Sequence, residues 1–309
     1  MSLTDRRYRI LRRLALLCAA MVLAVTSLSA FIRLTKAGLG CADWPACYGQ
    51  ELRRLQQGMA ASDDAQTATA TARLVHRITA STALLLVITM LLVCFGSRPL
   101  FVPEGLLALA LLALALGLAV LGFWSSAARV PAVAMGNLLG GFLMLALCVR
   151  LAVPRASAPA GLRAWTAAAA LLVTLQVALG GLLSASHGGL SCSGWSDCGL
   201  REALQASGWG SLDPWREPVL SATPPVNPAG ALANSLHRHA GVLLSLVLLA
   251  LALLMMRHGR RLGGFLLLAL IGAQWVVGVA LAALGLPLAL ALLHNLLAAA
   301  LLATLLTLL

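Results

Sequence analysis

Two sets of residues in this chain could do chemistry, and both occur twice. Cys41, Trp44 and Cys47 share the spacing Cys-x-x-Trp-x-x-Cys with Cys192, Trp195 and Cys198. Downstream of each motif stands a His-Arg pair, His76-Arg77 and His237-Arg238, that opens a long apolar segment. A third histidine, His294, lies inside the last apolar segment. Cysteines in an oxidising compartment close disulfides. An imidazole inside an apolar helical bundle can ligate a metal, and two on facing helices can hold haem iron on both axial sides. Ionisable groups in a membrane segment are costly and are functional candidates by default. The pattern therefore points to a redox or haem site, with His76, His237 and His294 as candidate iron ligands. Arg77 and Arg238, each beside a candidate ligand, could pair bidentately with the carboxylates of a haem held edge-up. Arg33 and Lys36, at the end of the first apolar segment, could serve in the same way.

Each of these residues also has a structural reading. A His-Arg pair at a membrane edge can be a snorkelling anchor, and His294 could be a hydrogen-bonded core imidazole. Matched recurrence favours function for His76 and His237. His239, one step off the His237 face, and His258, in a basic turn, read as structural. His187, at the entrance to the second cysteine loop, keeps a further claim. Cys18, Cys94 and Cys148 lie within apolar segments and read as small hydrophobes. For the other four, one disulfide per loop, Cys41–Cys47 and Cys192–Cys198, is the simplest pairing. Four cysteines allow three connectivities, so cross-pairing between the loops stays open. Zinc would prefer tighter spacing.

The elements that must position these groups follow from composition. Of 309 residues, 61% are hydrophobic and only 10% charged, a balance foreign to soluble domains. About eight nearly uncharged runs are long enough to span a bilayer as helices: 11–33, 74–96, 102–125, 131–152, 163–184, 235–256, 262–284 and 286–308. They are continuous Ala/Leu stretches, not the short alternating segments of a membrane barrel. The net charge of +12 is not a nucleic-acid footprint. Arg6, Arg7, Arg9, Arg12 and Arg13, then Arg98, then Arg150, Arg155 and Arg163, then Arg257, Arg260 and Arg261 all fall between spans on one side, which the positive-inside rule makes cytoplasmic. Both termini are then inside, and the cysteine loops face the periplasm of a bacterial inner membrane. The first span has a basic start and small residues at its end, as a signal peptide does. Its length suits a full span, and cleavage would break the repeat described next.

Span, cysteine loop, His-Arg span, short turn, span, tight turn, span: that order occurs twice, in residues 1–152 and 153–309. Two echoes add to it. Residues 175–180, with Gln176 and Gly180, resemble 273–278, with Gln274 and Gly278; residues 136–141, beginning Gly136-Asn137, resemble 294–299. The expectation is an all-α membrane protein of two tandem four-helix bundles related as a parallel internal repeat. The loops, 34–73 and 185–234, are long for such a protein and read as ordered lids over a site beneath them. All ten acidic residues lie in loops or helix ends, which counts against an ion-coupled transporter.

These features resemble the haem A synthase family over nearly the whole chain. The stretch from Gly38 to Gly49 around Cys41, Trp44 and Cys47 carries the resemblance, with the two His-Arg helices, the Gln-x-x-x-Gly helix ends and the His294 helix. The resemblance implies an oxidoreductase that converts the C8 methyl of haem O to the formyl of haem A, for terminal oxidases. It implies haem b (iron) as cofactor between His237 and His294, beside Arg238. Haem O would be the substrate, bound in the first half at His76 and Arg77. Haem O synthase, terminal oxidase subunits and a second copy of the chain are candidate protein partners. The chain departs from the family pattern twice, both times in the first half. Asn137 stands where a fourth histidine is expected, and Arg73 where a glutamate usually precedes the first His-Arg. Arginine cannot accept a proton as that carboxylate would. Five-coordinate iron, with Asn137 near its open side, suits oxidant activation better than fully ligated iron. A non-catalytic haem-binding or oxidase-assembly protein and a quinone-linked cytochrome b are the alternatives.

Overall fold

The computed structural model describes residues 3–60, 62–125, 129–153, 159–192, 198–221 and 226–309. The interior of the second cysteine motif, including Trp195, lies outside them, as does Arg155. Among these residues ten α-helices form: α1 (Leu3–Lys36), α2 (Gln50–Gln56), α3 (Asp63–Phe95), α4 (Val102–Ser125), α5 (Pro131–Ala152), α6 (Ala160–Ala185), α7 (Leu200–Ser207), α8 (Gly230–Arg257), α9 (Arg261–Ala283) and α10 (Leu288–Thr307). Among the described residues eight of them, all except α2 and α7, are long and apolar enough to cross a membrane. The chain is an all-helical, multi-pass membrane protein.

Exposure is inverted relative to a soluble protein. Phe123 is 82% exposed and Val276 70%, because their neighbour is hydrocarbon. Hydroxyls inside the spans bond back to their own helix, as where Thr82 donates to the Ile78 carbonyl at 2.9 Å and Ser245 to the Gly241 carbonyl at 2.7 Å. This satisfies them where water is absent.

Packing closes two rings of four helices. In one, α1 packs on α3, α3 on α4, α4 on α5 and α5 on α1; in the other, α6 packs on α8, α8 on α9, α9 on α10 and α10 on α6. The rings meet through α5 against α6 and α10, and α1 against α10. Glycines set the close approaches. A Cβ at Gly136 would sit 2.7 Å from Leu121, and one at Gly140 2.6 Å from Leu118, so these two glycines seat α4 on α5 in small-xxx-small fashion. At one end of the molecule Arg7 donates to the carbonyls of Val93, Ser97 and Pro99 at 2.7–3.0 Å and lies over Phe101. A cation there satisfies carbonyls that a helix C-terminus leaves open.

The helices extend past the apolar runs. α3 starts at Asp63 and α8 at Gly230, so part of each expected loop is helix standing above the span. Ser62, just before α3, donates to Glu51 of α2 at 3.0 Å, which ties the loop to the helix start. Each loop also reaches across to the other ring. Leu39 and Tyr48 cluster with Ala291 of α10, with Trp44, Leu286 and Leu288 around them. From the second loop, the Pro214 carbonyl accepts the Ala132 N–H at 2.8 Å at the start of α5.

Candidate haem-ligand site

His237 on α8 and His294 on α10 come from helices that stand diagonally in one ring. Their imidazole centroids are 6.4 Å apart with planes at 67°. Glycines on the intervening helices make this possible. A Cβ at Gly180 of α6 would lie 2.8 Å from His237 Cε1, and one at Gly278 of α9 3.1 Å from His294 Cε1. One helical turn before each glycine is a glutamine that meets the same imidazole. Gln176 Nε2 lies 3.1 Å from His237 Nδ1 and donates to the His237 carbonyl at 2.7 Å. Gln274 Nε2 lies 3.1 Å from His294 Nε2. A Cβ at Gly241 would come within 3.2 Å of Gln176 Nε2, so a third glycine clears space for that amide.

Several buried polar atoms here have no partner among the described residues: Oε1 of Gln176, Oε1 of Gln274 and Nδ1 of His294. Native interiors rarely leave such groups unsatisfied, and each needs an explanation. Two imidazoles sharing one metal at about 2.0–2.1 Å per metal–nitrogen bond have ring centres about 6 Å apart, close to the spacing seen. The glycine cradle, the ring spacing and the orphaned Nδ1 fit an axially ligated metal. Arg238 follows His237 on α8 and is half-buried.

The first-half residues are placed differently. His76 is half-buried on α3 and Arg77 is exposed beside it. Asn137 is half-buried on α5, which stands diagonally to α3 as α10 does to α8. Arg73 is turned back on its own helix, donating through Nε to Thr69 Oγ1 at 3.0 Å, and Thr69 is fully buried. Arg33 bonds Ser184 of α6. These two residues are separated by the same offset, 151, that separates Cys41 from Cys192. His239 Nδ1 meets the Ser235 carbonyl at 2.8 Å, a structural role. Cys18, Cys94 and Cys148 are buried in the core.

Each loop holds its own disulfide. Cys41 pairs with Cys47 and Cys192 with Cys198, at Cα separations of 6.6 and 5.6 Å, within the usual span. Closing so short a loop limits the entropic contribution to about 2 kcal/mol, so its main effect is shape. Non-reducing peptide mapping should recover both short pairs; free thiols at all four positions, or only cross-loop links, would contradict this.

His187 sits where the loops meet, its ring 5.3 Å from that of Tyr48, with positive φ and only 8% exposed. Burial pushes its imidazole down to about 4, the Arg33 guanidinium adding to this against a backbone bond at Ala185. Burial likewise pushes the Tyr48 phenol up to about 12, against a Gly189 backbone bond and Arg33. The fold therefore favours neutral His187. Its contribution to stability is whole above the unfolded value of about 6.5 and is lost as pH falls toward about 4. The thermal midpoint in detergent should drop over that window, and His187→Gln should flatten the drop. An equal drop in the variant would contradict the assignment.

A family profile described as cytochrome oxidase assembly protein matches residues 12–306. The chain belongs to the cytochrome oxidase assembly protein family. A heme A synthase of Shewanella oneidensis is 32% identical over an alignment of 194 residues that covers 57% of this chain and 57% of that protein. The matched stretch thus spans little more than half the length of this curated relative. Together they bear out the resemblance to the haem A synthases as a matter of family. For a cytochrome oxidase assembly protein, the histidine neighbourhood is the part that sequence reading left incomplete. Gln176, Gln274, Gly180 and Gly278 were visible as a repeated Gln-x-x-x-Gly echo, but not as the residues that meet His237 and His294.

Proposed function

We propose that this protein is a haem A synthase-like membrane oxidoreductase that converts the C8 methyl of haem O to a formyl group. The observation that carries the reading is the His237–His294 pair, set face to edge over glycines in the interior of one helical ring. These two histidines would hold a resident haem b, with Arg238 toward its carboxylates. Such a haem supplies one-electron chemistry. Haem O would bind in the other ring through His76, with Arg77 toward its carboxylates. Asn137 then faces the side of the substrate that lacks a second histidine. Arg73, committed to Thr69, anchors α3 and is not the base. The two rings are taken as separate units, residues 1–152 for substrate and 153–309 for cofactor.

The arginine-rich end is assigned to the cytoplasm, with both termini, and the disulfide loops to the periplasmic face of a bacterial inner membrane. Haem O synthase and terminal oxidase subunits are the protein partners this role implies. The substitutions at Asn137 and Arg73 favour one second reading, a haem-binding assembly protein that makes no haem A. Pigment extraction from the purified protein tests between them. Haem b with haem O and haem A supports the enzyme, whereas haem b alone supports the binding protein.

A further inference from the structure

The glutamines are a matched pair that the histidine reading leaves without a purpose. Each lies one turn before the glycine on which an imidazole rests, and each touches that imidazole at 3.1 Å. Each also keeps a buried Oε1 with no partner among the described residues. An unmet buried acceptor is costly, and here the cost is incurred twice, in the same way, at both ligand candidates.

A carboxamide carries two donors and an acceptor. An imidazole that gives one nitrogen to a metal carries its proton on the other and normally donates it to an oxygen, which fixes the tautomer and ring orientation. The two amide oxygens are such acceptors, each on the same carboxamide as the nitrogen already in contact with the ring. Gln176 meets Nδ1 of His237, leaving Nε2. Gln274 meets Nε2 of His294, leaving the orphaned Nδ1. Rotation of the Gln274 carboxamide would bring oxygen in place of nitrogen to the ring N–H; at Gln176 the same rotation must also give up the bond from Nε2 to the His237 carbonyl, so that amide turns only when the ring N–H replaces that bond.

We propose that Gln176 and Gln274 are positioning residues that set the tautomer and orientation of His237 and His294 toward the iron. The inference rests on the haem b reading above. It also separates the two rings. α1, α4 and α5 contain no glutamine, and the one in α3, Gln66, lies at its loop end. The clamp thus belongs to the ring that keeps its haem and is missing from the ring whose haem must leave as product.

The test uses the full-length protein in detergent, with Gln176→Leu, Gln274→Leu and the matching Glu variants. Readouts are haem b content, the low-spin electron paramagnetic resonance signal and the ferric-to-ferrous ratio at fixed poise. Loss of the acceptor should weaken haem retention about 10–100-fold, as other losses around metal-bound histidines do, and move the ratio toward ferrous. Glutamate, a stronger acceptor of similar size, should restore haem content and move the ratio toward ferric by about tenfold, or 59 mV for one electron. If the Leu variants do not fold, the Glu variants decide by that shift alone. Wild-type haem b with all variants unchanged in content, signal and ratio would overturn the inference and leave the haem reading standing. Wild-type protein without haem b would overturn the haem reading itself.

Discussion

Replacing either His237 or His294 with alanine should remove the low-spin b-type spectrum from the purified protein. The two imidazoles face each other with centroids 6.4 Å apart. If both imidazoles hold the iron, each is indispensable to the low-spin state. Losing a residue that merely supports a metal ligand costs about 10–100-fold in affinity, and losing the ligand should cost more. Haem content should therefore fall by at least that factor, while detergent-extracted protein stays monodisperse, since both side chains are half-buried. Full haem content and an unchanged spectrum in both variants would remove the assignment.

The second large effect is expected in the other ring. His76→Ala should abolish haem A formation and leave the proposed haem b in place, because His76 lies on α3 and the proposed haem b ligands, His237 and His294, on α8 and α10. Asn137→His should act in the opposite sense on the iron. By supplying a second imidazole it should turn the first-ring haem low-spin and fail to raise activity, since a fully ligated iron has no side left for an oxidant. Spectra of the variant loaded with haem O would show this. A more active Asn137→His protein would mean that the asparagine is a defect and not part of the design.

Much of this arrangement was legible in the residues. Lipid permits few ways to satisfy a backbone, so the runs from 102–125 and 131–152 coincide with α4 and α5. The two short cysteine pairs are legible because a six-residue separation leaves the partner close at hand. What could not be read was which helices become neighbours. Gln176 lies 61 positions from His237, and their contact depends on α6 and α8 packing side by side. The crossing of the loops was hidden for the same reason. Trp44 and Tyr48 look like parts of a lid over their own ring, and only the folded chain places them beside the start of α10. Helix ends moved as well. The polar stretch before His76 has the composition of a loop, yet Asp63 and Asp64 begin α3, where acidic residues favour a helix N-terminus.

Enzymatic conversion of haem O stands or falls on one measurement. Cells lacking their own haem A synthase, but containing haem O and an oxidase that accepts haem A, would be given this chain and their haems extracted and separated. The expected result is haem A from the wild-type chain and its loss with His76→Ala. Haem b and haem O without any haem A, from wild-type protein present in the membrane, would contradict the enzyme and leave a haem-binding assembly protein in its place.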